Sequence, residues 1–226
     1  MEVYKHLVKK PWGEEYCVFR NDQVSIWLLK ILPNQKTSLH CHPNKKTGLI
    51  LLDGKAQVNL IERSFTIEGF AKIMLRNGMF HQTHNNNSNE PIYVLEVETP
   101  DNKFDLIRIQ DDYGRENSGF EDSKSWQRQV PDFKISSDKK SVFNNFTFEI
   151  VSLEQIFSKD VDPNDKIMII DGCGFIQNND QKLCEVGEVL TIKILKYLKQ
   201  FFNLNTQSKA ILICKNLKYI TLIHLF

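Results

Sequence analysis

The chain has 226 residues, of which 41% are hydrophobic and 25% charged, and its formal net charge is +1. That length builds one large domain or two small ones. The near-neutral charge argues against a nucleic-acid or membrane-surface partner, no apolar run after a basic start reads as a secretory leader, and no uncharged apolar span approaches the ~20 residues that cross a bilayer.

The five cysteines (Cys17, Cys41, Cys173, Cys184 and Cys214) are odd in number and contain no CxxC pair. Neither a disulfide framework nor a zinc knuckle is expected, and a reducing cytoplasm fits.

In chain order, Val24–Leu32 reads as a mostly apolar strand. Leu49–Leu52 and Ala56–Leu60 flank Asp53-Gly54, a two-residue hairpin signal. The run AQVNL alternates apolar and polar, as in a strand with one solvated face. Phe65–Ile67, Ala71–Leu75 and Ile92–Val97 are further strand candidates. Many short strands between turns predict an all-β sandwich or barrel rather than βαβ units. Asn102–Val130 is polar and reads as a lid or excursion, and Pro131–Asn145 as a linker. Phe146–Val151 is a strand candidate, and Ser152 is placed to cap a short helix over Leu153–Phe157. Lys166–Ile170 and Gly174–Gln177 flank Asp171-Gly172 and repeat the Leu49–Leu60 pattern. Val189–Leu198, Ala210–Cys214 and Tyr219–Phe226 complete the candidates, with Ile192–Phe202 open to a helical reading. The expected division is 1–120, a barrel; 121–145, a linker or excursion; and 146–226, a smaller β-rich domain.

Four of the six histidines lie between positions 40 and 84. His40 and His42 are two apart, so on a strand both rings face one side, while Cys41 faces away. His81 and His84 follow Gly78 on a later strand candidate. Two imidazoles from one strand and one from another can form a facial metal site; the plain alternative is a set of ordinary polar side chains.

Residues 33–54, PNQKTSLHCHPNKKTGLILLDG, resemble the first cupin motif, and residues 76–85, RNGMFHQTHN, resemble the second. His40, His42 and His81 take the positions of that family's histidine ligands, and Gly78 and Asn85 also match. Lys10-Pro-Trp-Gly-Glu14, Asp105-Leu-Ile-Arg-Ile109 and Asp111-Asp-Tyr-Gly-Arg115 are similar to the opening and closing segments of the cupin domain in type II phosphomannose isomerases and mannose-1-phosphate guanylyltransferases. The resemblance covers roughly residues 8–120. It implies a double-stranded β-helix, or jelly-roll barrel, for that part; residues 146–226, without its histidines, read separately as a smaller β-rich, degenerate cupin-like domain. The resemblance also implies a cytoplasmic homodimer, a sugar phosphate or nucleotide sugar as ligand, and a divalent metal, with zinc ahead of nickel, iron or manganese, unless the site is a relict without metal.

The sequence departs from the family at Thr47, where a glutamate ligand is usual, at Lys45 for an arginine, at Leu49 for a tryptophan and at Arg76 for a proline. With Thr47 there, His84 and Glu96 are the candidates for a catalytic base, and Lys45, Lys46 and Arg115 for phosphate binding. Trp12 and Gly13 read either as a clamp on the barrel or as ligand contacts. The expected activity is a mannose-6-phosphate isomerase-like proton transfer in surface-polysaccharide or nucleotide-sugar synthesis. Its competitors are a non-catalytic sugar-phosphate-binding cupin and a three-histidine oxygenase.

Overall fold

A computed structural model describes residues 2–128, 130–177 and 180–216. The chain divides into two units, Met1–Asp132 and Phe133–Phe226.

The first unit begins with β1 (Leu7–Lys10), β2 (Gly13–Arg20), β3 (Ser25–Ile31), β4 (Leu39–Cys41), β5 (Lys46–Leu51) and β6 (Lys55–Leu60). It continues with β7 (Ser64–Glu68), β8 (Ala71–Leu75), β9 (His81–His84), β10 (Ile92–Thr99), β11 (Ile107–Gln110) and β12 (Trp126–Gln127). Two sheets result, with strand orders β12-β1-β2-β3-β10-β5-β8 and β11-β4-β9-β6-β7. This is the predominantly β, cupin-like, multi-sheet architecture expected from the sequence, and neither sheet closes on itself in the strand pairing.

Asp53-Gly54 does not close a hairpin. β5 pairs with β10 and β8, whereas β6 pairs with β7 and β9. Gly54, at φ +85°, turns a corner between the two sheets, and its carbonyl accepts the Gly69 N–H at 2.8 Å. Gly69, at φ +64°, turns the next corner, from β7 to β8. A DG pair signals the tight turn but not which strands the turn joins. Repeated corners of this kind bring side chains from distant strands together.

The core of this unit includes Trp12, Trp27, Leu29, Ile31, Leu49 and Leu51. Burying such side chains supplies roughly 1.5–3 kcal/mol each. Gly13 is structural in a specific way. Its φ is +147°, and a Cβ there would lie 2.0 Å from the Lys30 carbonyl oxygen. Gly13→Ala must therefore push β2 from β3, and we expect it to lower unfolding free energy by about 2–4 kcal/mol in urea melts.

The segment after Asn102 is not a polar excursion. Lys103, Asp105, Arg108 and Asp111 are all buried. β11 pairs with β4, and β12 pairs with β1, so residues through 128 add strands to the first unit. On β11 the usual pattern is inverted: Ile107 and Ile109 are exposed while Arg108 is buried. Ion pairing, not hydropathy, decides which way that strand faces.

The second unit contains β13 (Ser141–Phe143), β14 (Phe146–Ser152), α1 (Leu153–Phe157), β15 (Lys166–Asp171), β16 (Cys173–Ile176) and β17 (Lys182–Glu185). β18 (Val189–Thr191), α2 (Ile192–Leu198), β19 (Asn203–Leu204) and β20 (Lys209–Lys215) follow. Its sheets have orders β13-β14-β20-β15-β18 and β17-β16-β19. Ser152 caps α1, and Gln155 completes the capping box. Thr191 starts α2 by accepting from the Ile194 N–H, which resolves 192–198 as helix. Asp171-Gly172 again joins strands of different sheets. The strand expected over Tyr219–Phe226 lies outside the described residues. No described residue of this unit is a histidine. Among the described residues of the chain, no helix is long and apolar enough to cross a membrane.

Candidate metal centre

His40 on β4 faces His81 on β9 as a cross-strand pair. Their ring centroids are 4.5 Å apart, and His42 lies 5.0 Å from His40 and 5.5 Å from His81. The fourth member is Glu96, from β10 of the other sheet. One donor atom from each of the four residues lies within 4.8 Å of all the others, and all four residues are buried.

Hydrogen bonds fix which nitrogen of each ring faces this space. Nδ1 of His40 donates to the Ser38 carbonyl at 2.8 Å, Nδ1 of His42 to the Asp105 carbonyl at 2.7 Å, and Nδ1 of His81 to the Met79 carbonyl at 2.9 Å. A carbonyl can only accept, so each Nδ1 carries a proton, and it is Nε2 of each ring that faces the shared space. Nε2 of His42 and of His81 is buried without a hydrogen-bond partner. Buried polar atoms are rarely left so. Main-chain acceptors behind the rings and bare nitrogens in front are the arrangement that holds imidazoles for a divalent metal.

Burial pushes the His40 imidazole well below its usual pKa, and the His81 and His42 rings beside it act in the same direction. His81 is lowered to about 4, first by burial and then by His42. Both rings are therefore neutral at pH 7, the form that binds metal. Burial opposes ionisation of Glu96, but the Lys103 ammonium, His42 and Lys45 hold its carboxyl well below the usual carboxylate range. Its Oε2 accepts from Lys103 Nζ at 3.0 Å, and its Oε1 lies 3.8 Å from His42 Nε2. Three imidazole nitrogens and one carboxylate oxygen suit zinc, iron, nickel or manganese.

The carboxylate thus stands on a different strand from the one the family pattern names. Thr47 pairs across the sheet with Glu98, and Leu49 with Glu96. Thr47 is buried and its hydroxyl has no hydrogen-bond partner.

Other sequence candidates sit elsewhere. His84 is half-buried, bridged to Lys36 and paired with Gln57. It lies outside the cluster, because a spacing of three from His81 does not return it to the same strand face. Its pKa is lowered by burial and by Lys36. Lys45 is fully buried, with Nζ 3.0 Å from a Glu98 carboxylate oxygen. Lys46 does not line the cavity around the cluster. Arg115 does, but its guanidinium is held by Asp111 at 2.6 Å and Glu121 at 2.5 Å.

Four charged residues of this cavity were not singled out from the sequence: Lys10, Glu15, Lys103 and Arg108. Lys103 reaches Glu15 at 3.3 Å, Glu96 at 3.0 Å and Glu98 at 3.1 Å, and its ammonium lies 4.3 Å from the Trp27 ring centroid. Burial lowers its pKa, but the three carboxylates outweigh that and hold it well above the usual lysine range. Arg108 donates to Ser38 Oγ at 3.0 Å, beside the residue whose carbonyl orients His40. Trp12, Leu29, Leu49, Leu106 and Phe120 supply apolar wall.

Residues 1–111 match the family model described as mannose-6-phosphate isomerase C-terminal. No curated protein matches the chain. Among solved structures, a double-stranded β-helix protein from Klebsiella pneumoniae is 19% identical with a TM-score of 0.38, over 42% of this chain and 84% of its own. KdgF from Halomonas is 11% identical with a TM-score of 0.40, over 43% of this chain and 88% of its own. A sugar phosphate isomerase of the cupin superfamily from Silicibacter pomeroyi is 19% identical with a TM-score of 0.32, over 34% of this chain and 50% of its own.

Proposed function

We propose that the amino-terminal unit is a cupin-type, metal-dependent sugar-phosphate isomerase of the mannose-6-phosphate isomerase kind. The observation that carries this reading is the set of three Nδ1-anchored imidazoles facing Glu96. His40, His42, His81 and Glu96 would hold the metal, zinc first. Once bound, the metal supplies Lewis-acid polarisation of the substrate's carbonyl and hydroxyl oxygens.

The chain's own residues supply the rest. Aldose–ketose exchange moves a proton between adjacent carbons and needs a base in the cavity. His84 lies outside the cluster, and Glu96 is committed to it. Glu15 lines the cavity, and its Oε1 is buried without a hydrogen-bond donor, 3.3 Å from both Lys10 and Lys103. We assign Glu15 Oε1 as the proton acceptor. The cavity volume is about 40 Å³, too small for a hexose phosphate unless lining side chains move.

Glu15→Gln should lower isomerisation of mannose 6-phosphate by about 10²-fold or more while metal content stays unchanged. Full turnover in that variant removes Glu15 as the base. No turnover by metal-loaded wild type on any hexose or pentose phosphate removes the isomerase reading. One observation favours the alternative of binding without catalysis: every cavity carboxylate already faces a lysine. The oxygenase reading rested on three histidines with no carboxylate, and Glu96 takes away that premise.

A further inference from the structure

The buried charges around the cluster balance one another. Lys10, Lys45 and Lys103 face Glu15, Glu96 and Glu98. Arg108 and Arg115 face Glu121, and Asp111 takes the other side of Arg115. Five cations thus stand against five carboxylates. Asp105 stands apart from these ion pairs, its carboxylate held instead by the Asn44 N–H and side-chain amide. In such a closed set no cation is left over for an incoming anion. A phosphate entering the metal-free cavity would have to break existing pairs in a low-dielectric site, which is costly.

A divalent ion held by the three imidazoles and Glu96 adds two positive charges to this balanced set. At the short distances of this cavity the excess is felt strongly. We propose that the cavity is built so that metal and a dianionic phosphate ester bind with strong positive coupling, the metal creating the charge that the phosphate then neutralises. This rests on the metal-site reading above. It differs from recognition by a standing pocket of free lysines and arginines, which would hold phosphate with or without metal. Coupling between two sites is reciprocal: each ligand raises affinity for the other by the same factor.

Titration calorimetry on the full chain tests it, with mannose 6-phosphate, neutral mannose and inorganic phosphate as probes, in metal-free protein and with manganese bound. Manganese should raise affinity for mannose 6-phosphate by at least about 10-fold, and mannose 6-phosphate should raise manganese affinity by the same factor. Mannose should gain much less. Glu98→Gln, which removes one negative charge from a side chain that touches no metal donor, should strengthen phosphate binding to the metal-free protein several-fold. The proposal is overturned if manganese binds but phosphate affinity is unchanged by it, or if neither phosphate probe binds the metal-loaded protein. Failure of manganese and zinc to bind at all is a different result, which overturns the metal-site reading itself.

Discussion

Lys103→Met should lower the unfolding free energy of the metal-free protein by about 3–5 kcal/mol at pH 7, the usual cost of removing one partner from a buried charge cluster. The lysine side chain is 4% exposed and is the shared partner of Glu15, Glu96 and Glu98. Methionine matches its volume, so little of the loss comes from a cavity. What remains is buried carboxylates of which Glu96 has lost the Lys103 ammonium it paired with, while Glu15 keeps Lys10 and Glu98 keeps Lys45. The effect has a pH signature. In wild type, Glu96 ionises well below its usual range, so its contribution is present at neutral pH and is lost only as pH falls through that depressed value. In the variant, burial is opposed only by His42 and Lys45, so the Glu96 pKa lies above its wild-type position and the carboxyl protonates at higher pH than in wild type. The gap between the two proteins should therefore narrow on acidification, in urea melts run from pH 7 down to pH 5. A loss under about 1 kcal/mol at pH 7 would mean that the carboxylates are reached by water and that the network is not a low-dielectric site.

How much of this was legible in the sequence follows from what each signal encodes. Strand positions in the first unit were readable from β-type runs between glycines, because pleating imposes a period of two wherever one face is buried. His40 and His42 were readable as a pair because spacing of two on a strand fixes a common face, whereas His81 was picked out only by the resemblance of residues 76–85 to the second cupin motif. Sheet membership was not. Asp53-Gly54 and Asp171-Gly172 looked like hairpin turns, yet each joins strands of separate sheets. The turn residues encode a backbone angle, and partner choice is set by packing far along the chain. Glu96 was noticed as a nearby acid, but its place opposite the histidines depends on β10 lying between β3 and β5, a non-local pairing. Lys103 and Arg108 were hidden for a different reason. Hydropathy reads charged residues as solvated, and these two are buried because carboxylates from β2, β10 and the 111–121 segment meet them there. No local pattern in Asn102–Val130 announces that. The linker expected over 121–145 failed in the same way, since Trp126–Gln127 finds its partner in β1, more than a hundred residues earlier.

The His40→Ala/His42→Ala variant should lose bound metal from near one per chain to below about a tenth, read by elemental mass spectrometry after gentle purification. Removing two of four donors leaves one imidazole and one carboxylate, too few for a closed site of the kind zinc requires. A second readout separates lost ligands from lost folding. Ligand that binds only the native state stabilises it by about 2.7 kcal/mol at a hundred times its dissociation constant. Added zinc should therefore raise the melting temperature of wild type and leave that of the variant unmoved. Glu96→Gln decides between the two chemistries the sequence left open. If Glu96 is a ligand, replacing it with a neutral amide should weaken metal binding by about 10- to 100-fold, and the cavity carboxylate has simply moved one strand over from the position of Thr47. If affinity is unchanged, the metal rests on three imidazoles alone, Glu96 serves only as the counter-ion of Lys103, and the oxygenase reading regains the premise that Glu96 removed.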